Sequence, residues 1–250
     1  MTGFRERLIA GEILAATWIK TPHPHVVEVL ALSPLDALVL DAEHAPFDRA
    51  SLDLCILAAR AGRMPVLVRP PSADPSHLLQ ALDGGADGVV IPHVLTADDA
   101  RAAVLACRYL PRGRGYAGST RAAGYGTVGI AAHRAASEKI SIIAQIEDAD
   151  ALDAIDEIAA VPGIDALFIG RADLTVSLGA TSPDDHAVIE AVERVCAAGA
   201  TAGRTVGMFL ARPNDVVQWR ALGASLFILS SDQDFLRSGA IKLTETIHGQ

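Results

Sequence analysis

The chain has 250 residues, half of them hydrophobic but only 4% aromatic, and a formal net charge of −9. An acidic chain with no basic block is a poor partner for nucleic acid or an anionic membrane, and no apolar run nears the ~20 residues of a membrane span. Cys55, Cys107 and Cys196 are widely spaced and form no C-x-x-C; with Arg5, Glu6, Arg7 and Glu12 interrupting any signal-peptide layout, a reducing, cytoplasmic location is expected.

Residues 1–10 have helical spacing, with Phe4, Leu8 and Ile9 on one side. The apolar stretch 13–19, stopped by Lys20-Thr21-Pro22, predicts a first strand, and 25–32 a helix. Residues 37–40 are a second strand that ends in Asp41, Glu43 and His44; 50–61 are an amphipathic helix with Asp48 as its N-cap and Gly62 at its end. The alternation continues: strand 64–68 and helix 76–82 opened by Asp74-Pro75; strand 88–91 ended by Pro92, and helix 97–110. Residues 111–129 break the rhythm with many glycines, three arginines and two tyrosines, and a connection of that length is expected to be an ordered lid or subunit-contact loop. Beyond it lie helix 130–137, strand 140–146, helix 151–160, strand 166–169, helix 183–198, strand 205–210, helix 214–222, strand 225–229 and a last helix 235–247.

Eight strand-then-helix units predict one (β/α)8 TIM barrel over residues 1–250. A dinucleotide fold is disfavoured, because no G-x-G-x-x-G follows the first strand. A barrel gathers the C-terminal ends of its strands on one rim, which here would carry Asp41, Glu43, His44, Arg69, His93, Glu147, Asp148, Asp173 and Asp232. Glu147 and Asp173 stand 26 residues apart, one βα unit, so their carboxylates come from neighbouring strands and suit one Mg²⁺ or Mn²⁺; the alternative is a helix N-cap at either position. A Schiff-base route needs a buried lysine. Lys139 precedes a strand, Lys242 lies in the terminal helix, and Lys20 reads as a solvated loop residue. A metal-assisted enolate is therefore preferred to an iminium. His23 and His25 form H-x-H in a Pro-rich loop, a solvated loop or pocket wall rather than a chelate, and His77, His133, His186 and His248 read as surface residues.

Asp41-Ala42-Glu43-His44-Ala45-Pro46, Val68-Arg69-Pro70, Leu82-Asp83-x-Gly85-Ala86, Arg114-Gly115, Gln145-Ile146-Glu147 and Gly170-x-x-Asp173-Leu174 occur in the order found in the HpcH/HpaI aldolase family of class II pyruvate aldolases, which the chain resembles from about Trp18 to Asp232. The resemblance implies a TIM barrel that cleaves a 4-hydroxy-2-oxo acid to pyruvate and an aldehyde. It implies a divalent metal (Mg²⁺, Mn²⁺ or Co²⁺) on Glu147 and Asp173, Arg69 at the enolate oxygen, and His44 paired with Asp83 as the base unit. Gln145, Gly170, Arg171 and Ala172 would line the pyruvate site, and Arg121 would reach the aldehyde end from a neighbouring subunit. Family members are homo-oligomers, usually hexamers or trimers of dimers, with exchanged C-terminal helices. Small 2-oxo acids and aldehydes, not nucleic acid or membrane, are then the expected partners. A citryl- or malyl-CoA-type lyase and a non-catalytic barrel that binds 2-oxo acids stay open as alternatives. Two departures bear on specificity: Arg171 stands where these aldolases usually have Pro, an extra cation that would favour a more acidic substrate, and His23 and His25 replace less titratable residues.

Overall fold

A computed structural model describes residues 3–249 of the chain. Eight parallel strands close into a barrel in sequence order: β1 (Leu14–Ile19), β2 (Ala37–Asp41), β3 (Val66–Arg69), β4 (Gly88–Ile91), β5 (Ser141–Ile146), β6 (Ala166–Ile169), β7 (Thr205–Leu210) and β8 (Ala224–Ser231). Helix α1 (Phe4–Ile9) precedes β1. The connections carry α2 (Pro24–Leu30), α3 (Arg49–Ala61), α4 (Pro75–Gly84), α5 (Ala97–Cys107), α6 (Ile130–Ser137), α7 (Ile155–Ala159), α8 (Arg171–Ser177), α9 (His186–Ala202) and α10 (Val216–Ala221), and α11 (Asp232–His248) ends the chain. Among the described residues no helix is long and apolar enough to cross a membrane.

The strands are buried on both faces and so supply two cores. Leu38, Leu40, Val66, Val68, Val89 and Ile91 join the helices in the outer one. Trp18, Val39, Leu67, Ile143, Phe168 and Ile228 fill the barrel, with Phe4 and Leu8 of α1 against them. Side chains alternate along a strand, so the residue two positions past each inner-core residue also points inward, at the rim. Trp18 leads to Lys20, Val39 to Asp41 and Glu43, Leu67 to Arg69, Ile143 to Gln145 and Glu147, and Phe168 to Gly170. The parity that builds the core therefore also chooses the polar residues of the mouth. At the opposite end, Gly88 starts β4 where a Cβ would lie 2.5 Å from the Ser141 carbonyl oxygen, a spacing only glycine permits.

Several element boundaries differ from the sequence pattern. The helix expected over 97–110 stops at Cys107, because Arg108 turns extended and its guanidinium donates to the carbonyls of Ser137 and Ile140 at 2.5 and 3.1 Å. Residues 149–154 form a 3₁₀ turn before α7, so the expected helix 151–160 is split. The segment after β6 is not a loop but the two-turn helix α8, and α9 begins at His186, beyond Pro183. His133 is not a surface residue: it is 2% exposed, and its Nε2 lies 2.8 Å from the Tyr109 hydroxyl. The long connection is ordered as expected, with one 3₁₀ turn at Gly124–Gly126. All three cysteines are free and buried, and burial pushes Cys55 and Cys196 up to about 11 and Cys107 to about 12.

Candidate active site

Arg69 is the fixed point of the rim. Its guanidinium lies 4.2 Å over the Trp18 ring, with Nε 3.0 Å and the nearer terminal nitrogen 2.9 Å from Asp41 Oδ1, and Nε 3.2 Å from Glu43 Oε2. Asp41 is fully buried, and its Oδ1 also accepts the backbone N–H of His44 at 3.1 Å. The adjacent residues Asp41 to His44 thus divide their work. Asp41 anchors the arginine, Glu43 points inward beside it, and the His44 ring stands exposed above, 3.6 Å from Glu43 Oε2.

Glu43 clusters with two further groups, His93 after β4 and Glu147 after β5. His93 Nε2 is 3.4 Å from Glu43 Oε1, and His93 Nδ1 is 3.4 Å from Glu147 Oε1. The His93 backbone N–H donates to Glu147 Oε1 at 2.9 Å, which needs the left-handed backbone His93 adopts at φ 53°. That conformation is uncommon for a non-glycine residue. The other Glu147 oxygen accepts from the Gln145 amide. Burial pushes the Glu43 carboxyl up; the Arg69 cation opposes this, and the nearby Glu147 charge adds to it. The hydrogen bond that His93 Nδ1 donates to the Asp148 carboxylate raises His93 against its own desolvation.

The donor set fits a hard divalent cation. Glu43, His93 and Glu147 each offer a ligand atom, all within 4.8 Å of one another. Glu43 Oε2, Asp41 Oδ2 and Gln145 Oε1 are buried without a hydrogen-bond partner, and oxygen-rich clusters of this kind are the usual seat of Mg²⁺ or Mn²⁺. Asp173 is exposed on the first turn of α8. Gly170, which opens that helix, packs so tightly on Glu147 that a Cβ would sit 2.7 Å from the Glu147 Cβ. The tight cluster is Glu43, His93 and Glu147; Asp173, which follows the next strand, is not part of it and lines the rim cavity. The sequence pattern put Glu43 and His93 on the rim, and suited Glu43 with Asp41 and His44 to proton transfer or metal chemistry, but assigned the cation to Glu147 and Asp173; the inward parity of 39, 41 and 43 was the available signal for Glu43.

A cavity of about 490 Å³ opens at the rim; Arg69 and Gln145, on its wall, contact the cluster's carboxylates. His44, Arg69, Gln145, Gly170, Ala172 and Asp173 line it, as expected of a shared rim. Two expectations are not met within this chain. Asp83 is not beside His44: it lies near the end of α4 in the outer helical layer, where it takes the Arg114 guanidinium and shares a separate cavity with Arg49 and Asp53 of α3. Arg121, expected to reach the aldehyde end from a neighbouring subunit, is held in its own chain by both oxygens of Asp53 at 2.7 and 2.6 Å, in that same cavity. Arg171 lines the rim cavity as expected, but its plane and one terminal nitrogen are engaged elsewhere. It donates to the Pro183 carbonyl at 2.8 Å, meets Asp184 at 3.4 Å and stacks 4.6 Å over Trp219. His23 and His25 are exposed and lie outside the cavity, the His23 ring capping α2 by accepting the His25 N–H. Lys20, expected to be solvated, lines the cavity and lies 3.4 Å from Asp41 Oδ2.

The chain is similar to known proteins. A hydroxypyruvate/pyruvate aldolase of Roseovarius nubinhibens is 34% identical over 92% of this chain and 90% of its own. A 5-keto-4-deoxy-D-glucarate aldolase of Shigella dysenteriae is 34% identical over 97% and 95% of the two chains. The crystal structure of an HpcH/HpaI aldolase/citrate lyase family protein from Burkholderia cenocepacia superimposes with a TM-score of 0.93 at 34% identity, covering 98% of both chains. The family model for HpcH/HpaI aldolase/citrate lyase matches residues 14–238, strand β1 through the start of α11, and the chain belongs to that family.

Proposed function

We propose that the chain is a divalent-metal-dependent aldolase that reversibly cleaves a 4-hydroxy-2-oxo acid to pyruvate and an aldehyde. The observation that carries this reading is a clamped guanidinium, Arg69, on the wall of the rim cavity and in contact with Glu43, whose carboxylate clusters with Glu147 and His93. Cleavage of the bond between C3 and C4 leaves a pyruvate enolate, and the site is built to receive that charge. Glu147 and Asp173 would hold the cation, with Glu43 and His93 in reach; when bound, it supplies Lewis acidity to the 2-oxo group. Arg69 is oriented before substrate arrives and carries a permanent charge, so it stabilises the developing oxyanion without reorganising. His44 presents an exposed imidazole to the cavity and takes the C4 hydroxyl proton; in the reverse direction it returns that proton. Its position comes from the backbone bond to Asp41 rather than from Asp83. Trp18 and Phe168, edge to face at 5.9 Å, give the cavity an apolar wall that limits water at the enolate.

The experiment is pyruvate release from a panel of 4-hydroxy-2-oxo acids with Mg²⁺ or Mn²⁺ present and after chelation. Release that chelator abolishes and metal restores is the expected result. His44→Ala is expected to lose about 10²- to 10⁴-fold in turnover, the usual worth of a general base, while binding metal as before. Asp173→Ala is expected to lose metal affinity, measured by calorimetric titration. No pyruvate from any acid with metal present overturns the reading.

A further inference from the structure

We propose that Lys20 selects an anionic aldehyde: its ammonium receives a carboxylate carried by the aldehyde half of the substrate, as in glyoxylate. The proposal rests on the aldolase reading above and names the class of its second product. Lys20 stands on the inward parity of β1, two residues past Trp18, and lines the same cavity as His44 and Arg69. Its backbone is fixed there: the N–H groups of Lys20 and Thr21 donate to the two carboxylate oxygens of buried Asp232 at 2.7 and 3.0 Å. Asp232 thus acts as a clamp on the β1 end, tying the first strand to the start of α11.

The side chain itself is little committed. Its one charged neighbour is Asp41 Oδ2 at 3.4 Å, beyond a strong hydrogen bond, and it keeps 31% of its surface. Asp41 is already neutralised by Arg69, whose two nitrogens converge on its other oxygen. An ammonium has three donors, and this one leaves donors for the cavity. The other two permanent cations on the cavity wall have other assignments. Arg69, 5% exposed between Asp41 and Glu43, is the group assigned to the enolate oxygen. Arg171 is 9% exposed, with one terminal nitrogen on the Pro183 carbonyl and Asp184 and its plane on the Trp219 face. On the acidic side, Asp234 is held by the Ser230 hydroxyl and Arg237. The preference for an acidic substrate that the sequence pattern assigned to Arg171 falls to Lys20, the more exposed cation. A charge-assisted hydrogen bond from an ammonium to a carboxylate is among the stronger ones available in a partly dry site.

The test compares glyoxylate with glycolaldehyde, aldehydes of similar size that differ in a carboxylate against a neutral CH₂OH. Wild type, Lys20→Met and Lys20→Arg are assayed with metal for aldol addition of pyruvate. Lys20→Met is expected to lose about 10- to 100-fold in kcat/KM for glyoxylate, most of it in KM. It should stay within about twofold for glycolaldehyde, and Lys20→Arg should restore most of the glyoxylate activity. A second readout needs no turnover: calorimetric binding of glyoxylate to metal-loaded protein whose pyruvate position is filled with oxalate, a planar mimic of the enolate. Lys20→Met should weaken that binding about tenfold or more. Equal losses for both aldehydes would mean that Lys20 only supports Asp41, and unchanged glyoxylate kinetics and binding would mean that it faces no carboxylate; either overturns the proposal. If wild type forms no product with either aldehyde the aldolase reading fails, and the glyoxylate titration still decides what Lys20 binds.

Discussion

At the scale of single residues the chemistry hangs on Arg69. Its fork reaches Asp41 and Glu43 together and its plane lies on Trp18. A lysine keeps the charge but has neither the fork nor the plane, so the exchange is not conservative here. Arg69→Lys is expected to lower kcat by about 10²- to 10³-fold, the usual worth of one oxyanion donor, with metal affinity and far-UV circular dichroism retained. A variant within a few-fold of wild type by steady-state kinetics would remove Arg69 from the enolate. Most of the rim was legible in the sequence because strand parity is local: an apolar strand that ends in charge places that charge at the mouth. Asp41, Glu43, Arg69 and Glu147 follow from this alone. Where a long side chain goes after leaving the backbone was not legible. Arg171 could have turned to substrate or to Trp219, and only the packing of α9 and α10 beside it decides. Asp83 failed for another reason, since its neighbours depend on where the descending α4 meets the long connection that carries Arg114.

At the scale of elements, the consecutive helices α3 and α4 are held at their starts by side-chain caps. Asp48 accepts the Ser51 N–H at 2.7 Å and opens α3; Asp74 accepts the Ser76 N–H at 2.7 Å and opens α4. Hydrogen bonds from the Ser51 and Ser76 side chains and backbones hold both carboxyls below their ordinary value. A carboxyl depressed in the folded state adds stability that is present above its unfolded pKa and is lost as pH falls through the folded one. These caps therefore contribute at neutral pH and fade in acid, below the ordinary Asp range of about 3.9. The double variant Asp48→Asn with Asp74→Asn keeps capping oxygens but cannot titrate. Its urea-unfolding midpoint is expected to lie below wild type at pH 6 and to converge on it towards pH 3; a gap constant across that range would refute the assignment. The same caps made the helix starts readable, as at Asp48 and Asp74. Helix ends set by tertiary contact were not: α5 stops at Cys107 because Arg108 finds carbonyls from α6 and the turn before β5, 29 and 32 residues away. The 3₁₀ turn before α7 and the short α8 were missed for a similar reason, since neither is long enough to show a 3.6-residue period.

At the scale of the whole molecule, the barrel is closed and its core complete, but α11 is not accounted for by one chain. Its first residue, Asp232, is buried as the clamp on β1, yet every described residue from 235 to 249 is exposed. Leu236, Leu243 and Ile247 are 67, 70 and 79% exposed. With Ala240 they fall at i, i+7, i+11 and i+4, one apolar stripe along the helix. A helix of this length without packing on its apolar face is marginal in water, and three large aliphatic side chains aligned on it need cover. The resemblance implies exchange of the terminal helix between copies, in which case a second copy of this chain would be the cover. Leu243→Glu with Ile247→Glu puts charge on that stripe far from the rim cavity. The expected result by multi-angle light scattering is a homo-oligomer for wild type and a smaller species for the variant, with the circular dichroism of the barrel preserved. An unchanged mass in the variant, or a monomeric wild type with a stable α11, would show that the stripe is not the seam between copies.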